Sequence, residues 1–179
     1  MKKTILLFAG FLLLTFLNAS AQQDAQYSQY MFNGIYVNPA YAGYKEVLNL
    51  HSFYRTQWTG INGAPKSMAL AVDAIANDGN VGLALQVASD KLGAQTNLSV
   101  YGNYAYRIRM NADGSSRLAL GLGVGMVNLA IDGSLLNPNN PEINQPIGSQ
   151  STIVPDARAG VYFSNDQFYA GFSADNLIA

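Results

Sequence analysis

The chain contains no cysteine among its 179 residues and only one histidine. A disulfide framework, a zinc ribbon and a thiol nucleophile are excluded, and a lone imidazole leaves little for metal or triad chemistry. Charge is scarce as well: 12% of residues are charged, against about a quarter in ordinary globular domains. The 10 Lys plus Arg are scattered and the formal net charge is −1, whereas a nucleic-acid binder needs a concentrated basic face. At this length the chain holds a single domain. Abundant instead are glycine, with 17 residues, and tyrosine, with 11. That mixture suits a glycine-rich β protein or one that meets lipid.

Residues 1–21 read as a cleaved signal peptide. Lys2 and Lys3 precede an apolar run from Ile5 to Leu17, and Ala19-Ser20-Ala21 supplies the small side chains a signal peptidase accepts. The run is shorter than the roughly 20 residues needed to span a bilayer, and no cysteine follows it to carry a lipid anchor. Removing it leaves a mature chain with 8 Lys plus Arg against 11 Asp plus Glu. An exported, cysteine-free chain fits a bacterial envelope protein. After Gln22 every apolar stretch is interrupted at short intervals by Gly, Ser, Asn or a charge, so any crossing of a membrane is made by strands.

Seven segments alternate with a period of two. Leu48, Leu50, Ser52, Tyr54, Thr56 and Trp58 share one face, opposite Asn49, His51, Phe53, Arg55 and Gln57. The same pattern gives the faces Met68 to Ala74, Val81 to Val87, Leu98 to Ile108, Leu118 to Met126, Ala159 to Phe163 and Phe168 to Ala174, taking every second residue. These faces hold 32 positions and no charged residue, where a 12% content would place about four. A charge facing lipid at mid-bilayer costs about 2 to 4 kcal/mol, which makes such a gap expected of a barrel wall. The predicted fold class is therefore all-β, an antiparallel outer-membrane β-barrel.

Connection lengths support that reading. Asn77-Asp78-Gly79, Ala112-Asp113-Gly114 and Asn165-Asp166 have tight-turn chemistry. Thr59 to Lys66, Ser89 to Gln95 and Asn128 to about Pro155 are read as longer connections. Outer-membrane barrels alternate short periplasmic turns with longer outer loops. In that orientation Tyr104, Tyr106, Phe163 and Phe168 fall at the periplasmic interface, and Tyr54 and Trp58 at the outer one, as an aromatic girdle requires. A secreted β-sandwich would explain the period but not the alternation of connections.

Between the signal and the first strand lies Gln23-Asp24-Ala25-Gln26-Tyr27-Ser28-Gln29-Tyr30-Met31-Phe32-Asn33, then Tyr36 and Asn38-Pro39-Ala40-Tyr41-Ala42-Gly43. This stretch resembles the N-terminal signature of the PorP/SprF family of the type IX secretion system, close to QDPQFSQYMFNPLYLNPAYAG. Ala25 and Gly34 stand where that pattern favours proline. Further likeness is carried by Arg55, Gln57-Trp58, Gly63-Ala64-Pro65, Ser89-Asp90-Lys91-Leu92-Gly93, Phe168-Tyr169-Ala170-Gly171-Phe172-Ser173 and Asn176-Leu177. The resemblance implies an outer-membrane accessory component that assists export or surface attachment of cargo with C-terminal sorting domains, gliding adhesins among them. It implies as partners the periplasmic and outer-membrane components of the machine, the cargo and the bilayer, with no enzymatic activity and no cofactor. Members of the family are usually about twice as long. The seven strands are thus expected to be the first half of a barrel of about fourteen, with residues 22–45 forming a periplasmic or plug segment and 46–179 the wall.

Candidate partner-binding residues are Tyr27, Tyr30, Phe32, Asn38, Pro39 and Tyr41, since tyrosine-rich segments anchor interfaces. The same segment would equally serve as a plug. His51, Arg55, Asp73, Arg107, Arg109 and Arg158 are expected to face the lumen with Asp175, as ordinary wall residues or as holders of an internal segment. His51, Asp73 and Ser99 form a triad only if the fold brings them together. Gly121, Gly123 and Gly125 lie in a strand with no helix start behind them, so close packing against an internal segment or a bulky neighbour is favoured over phosphate binding. The competing readings are a barrel that binds or passes small solutes, a barrel hydrolase dependent on His51, and a soluble β-sandwich.

Overall fold

A computed structural model describes residues 34–111, 113–135 and 148–178. The predicted signal peptide, Tyr27, Tyr30 and Phe32 lie outside them. Seven strands form one antiparallel meander in the order of the sequence: β1 (Asn49–Thr56), β2 (Lys66–Ala76), β3 (Val81–Leu92), β4 (Gln95–Arg109), β5 (Arg117–Ile131), β6 (Gln150–Ser164) and β7 (Tyr169–Ala174). Ahead of β1 come a one-turn helix, α1 (Gly34–Val37), and a 3-10 turn over Pro39–Tyr41.

The alternation expected from the sequence sets the two faces. Leu50, Leu70, Leu85, Leu122, Val124 and Phe172 point outward and are exposed, whereas Asp73 at 2% and Arg158 at 4% exposure are buried on the opposite face. Aliphatic side chains outside and charges inside invert the arrangement of a water-soluble domain, and lipid is the solvent in which that inversion is favourable. On the outward face of the strands charges occur only near strand ends, at Lys66 and Lys91.

The sheet is a half-barrel. The Tyr36 hydroxyl donates to the His51 carbonyl on β1 (3.2 Å), and the carbonyl of the next residue, Val37, accepts from Ser173 Oγ on β7 (2.8 Å). Seven strands laid flat would place their outer members about 29 Å apart, at roughly 4.8 Å per strand. Two adjacent residues reach both only because the sheet curls around them.

Several boundaries differ from the sequence reading. Ser89 to Gln95 is no long connection: β3 runs on to Leu92, β4 starts at Gln95, and Gly93-Ala94 makes a two-residue turn with Gly93 at φ 58°. The polar residues Ser89, Asp90 and Lys91 continue the ladder with Leu98, Asn97 and Thr96, because a strand near the rim needs no apolar outward face. For the same reason β5 extends to Ile131 and β6 begins at Gln150, well before Pro155. The connections 57–65 and 132–149 remain long, so the alternation holds at two of three places. Trp58 lies beyond β1, at φ 51° in the turn that follows, and is exposed.

Candidate functional site

Residues 34–46 form a strap that lies inside the half-barrel. Gly34 packs flat against the Tyr41 ring, where a Cβ would collide. Asn38 caps the 3-10 turn: its Oδ1 accepts from the Ala40 amide (2.8 Å), and Pro39 follows at the first position, where a missing N–H costs nothing. The Asn38 amide donates to the carbonyls of Val161 (3.0 Å) and Phe172 (3.3 Å), so one side chain both turns the strap and ties it to β6 and β7. Ile35, Tyr36, Ala40, Tyr41 and Ala42 are buried against Ala69, Ala71, Ala88, Ala105, Ala119 and Tyr162 of the wall. Desolvation pushes the phenols of Tyr36 and Tyr41 up to about 12, with Tyr44 and Asp73 adding to the rise at Tyr41. Both rings stay neutral hydrogen-bonding groups.

A row of polar side chains runs across the wall beside the strap. Register aligns Asn49, Asp73, Ala84, Asn103, Gly123 and Arg158. Asp73 takes His51 Nε2 on Oδ1 (2.8 Å) and the Gly43 amide on Oδ2 (3.0 Å). Arg158 donates from Nε and Nη2 to Asn103 Oδ1 (3.2 and 2.9 Å) and from Nη1 to the Tyr36 carbonyl (3.2 Å). Its guanidinium also stands 4.3 Å above the centre of the Tyr101 ring, a desolvated cation–π contact. Tyr101 Oη donates to Asp156 Oδ2 (2.6 Å), and Asn103 Nδ2 to Gln86 Oε1 (3.4 Å). At the far end of the strap Glu46 receives Arg107 Nη2 (3.0 Å) and Arg117.

His51, Asp73, Arg107 and Arg158 are thus all on the inner face; Asp73, Arg107 and Arg158 bond the strap directly, and His51 does so through its carbonyl and through Asp73. Arg55 is half-buried on β1, in register with Ser67. Arg109 is exposed at the end of β4 beside the turns at Gly79 and Gly114. Asn38, Pro39 and Tyr41 are buried in the strap. Ser99 stands apart from the His51 and Asp73 pair, donating to the Ala88 carbonyl on the neighbouring strand. Among the described residues no cluster of His, Asp and Glu could hold a metal ion.

Sequence reasoning passed over Glu46, Gln86, Tyr101, Asn103 and Asp156. The missing signal was register: Gln86, Tyr101 and Asn103 stand on the inward parity of strands already recognised, and Asp156 was hidden by the late start assigned to β6. On the connection 132–149, Asp132 gathers the Ser134 hydroxyl and amide and the Ser149 hydroxyl. These bonds hold its carboxyl below the usual range.

The strand pattern, the inverted faces and the tyrosine-rich strap point to one family. No curated protein and no solved structure matches the chain. The model of the family described as type IX secretion system membrane protein PorP/SprF matches residues 19–179. That match covers most of the chain, and the chain belongs to the PorP/SprF family of type IX secretion system membrane proteins.

Proposed function

We propose that this protein is an outer-membrane component of the type IX secretion system that assists export or surface attachment of cargo with C-terminal sorting domains, such as gliding adhesins. The family match over residues 19–179 carries the reading, and the half-barrel with aliphatic residues outward supports a place in the outer membrane. The work is protein recognition rather than bond chemistry. The segment from Gln22, with Tyr27, Tyr30 and Phe32, meets periplasmic components of the machine, while Asn38, Pro39 and Tyr41 hold it to the wall. The outer connections 57–65 and 132–149 face the cargo.

Deleting the protein tests this. Cargo with a C-terminal sorting domain should disappear from the cell surface and return with the wild-type copy. Tyr30→Ala should lower surface cargo while the protein stays at normal level and still shifts on boiling in gels, as closed barrels do. Surface cargo unchanged by the deletion would sink the reading.

A further inference from the structure

One row of the inner wall is built almost without side chains. Gly82 on β3, Ala105 on β4, Gly121 on β5, Gly160 on β6 and Ser173 on β7 are consecutive register partners. The strap crosses the strands along this row. Ser173 meets Val37, Gly160 meets Asn38, Gly121 meets Ala40, and Gly82 meets Ala42. At Gly121 and Gly82 the contact is backbone on backbone, so any Cβ there would occupy the strap's own atoms. Ala105 between them is fully buried.

The seat has one register. A shift of the strap by one residue would put Pro39 or Tyr41 onto Gly121 in place of Ala40, and a close-packed interior has no room for either. Anchors along the strap come from separate strands: Asp73 on β2 holds Gly43, Arg107 on β4 holds Glu46, Arg158 on β6 holds the Tyr36 carbonyl, and Ser173 on β7 holds Val37.

We propose that residues 34–46 are a permanent crossbar, which sets the curvature of the wall, fills this side of the lumen and stays seated while the protein works. Partners are then engaged from the surfaces at either end and not by withdrawal of the strap. Only the surface-cargo readout below rests on the function proposed above; the cross-linking readout is independent of it.

These 179 residues contain no cysteine, so Val37→Cys with Ser173→Cys in the full-length protein gives a pair that can be read in native outer membranes against the two single-cysteine variants. A short, reducible thiol linker should join the two in nearly all molecules, and surface cargo should match wild type before and after reduction. Failure to cross-link would overturn the seat. Cargo lost on cross-linking and regained on reduction would overturn the permanence.

A second pair keeps the seat falsifiable if folding suffers. Gly160→Ala places a Cβ against the Asn38 side chain and should cut cross-linking several-fold. Gly102→Ala on the outward face, where a Cβ meets only the Val124 carbonyl 4.0 Å away, should leave cross-linking at the wild-type level. A Gly160→Ala protein that cross-links like wild type, or a Gly102→Ala protein that loses cross-linking as much, would overturn the seat.

Discussion

Arg158 on β6 and Tyr36 at the head of the strap, 122 positions apart in sequence, are joined by a hydrogen bond from the guanidinium to the main-chain carbonyl at 3.2 Å. The same side chain is also the donor to Asn103 Oδ1 and covers the Tyr101 ring. It is 4% exposed, so water replaces none of these contacts cheaply. Arg158→Met should cost about 2 to 4 kcal/mol, since it leaves a buried carbonyl and a buried amide oxygen without donors. Urea unfolding of the wild type and the variant in the same lipid vesicles checks this; a loss below about 0.5 kcal/mol would mean the network is not formed.

Glycines on the two faces should respond oppositely. Gly82→Val drives a branched side chain into the Ala42 carbonyl and should cost about 3 kcal/mol, the upper range for overpacking a filled site. Gly102→Ala on the outward face meets only the Val124 carbonyl, 4.0 Å away. It should be neutral or slightly stabilising, by up to about 1 kcal/mol, because alanine restricts the unfolded chain. The same unfolding assay ranks the two, and equal effects would contradict the strap's position.

Depth in the bilayer gives a third contrast. Leu122 stands in the middle of β5 and Ile153 near the start of β6, both outward and exposed. Leu122→Arg should cost about 2 to 4 kcal/mol and Ile153→Arg about 0 to 1 kcal/mol. Similar costs at both positions would argue that this face does not meet lipid.

Trp58 is the one tryptophan of these 179 residues and follows the outward parity of β1 into an exposed turn. Amphipathic rings settle at the headgroup level. Its fluorescence in vesicles should be quenched more by lipids brominated close to the headgroup than by lipids brominated near the chain ends. Quenching by neither, with iodide quenching it fully, would place the ring in water.

The strands were legible because a barrel wall has water or protein on one side and lipid on the other, which imposes a strict period of two on residues such as Leu98, Val100, Tyr104 and Tyr106. Strand ends were not legible. Near the rim both faces tolerate polar residues, so Ser89-Asp90-Lys91 reads as a loop and folds as a ladder. The inward parity of His51, Asp73, Arg107 and Arg158 could also be read from the period, and Gly121 was already better suited to close packing than to a phosphate.

What the sequence determined by itself is local and repetitive: the inside-out alternation, the tight turns, and the motif that marks the family. Only the tertiary structure decided which residues meet. Registry between β3, β4, β5, β6 and β7 sets Gly82, Ala105, Gly121, Gly160 and Ser173 in one row, and no short-range pattern encodes that alignment, because the partners lie tens of residues apart. The same holds for Asn38, whose side chain could cap a turn in any context. It also ties the strap to β6 and β7 here because the curled sheet brings the carbonyls of Val161 and Phe172 within its reach.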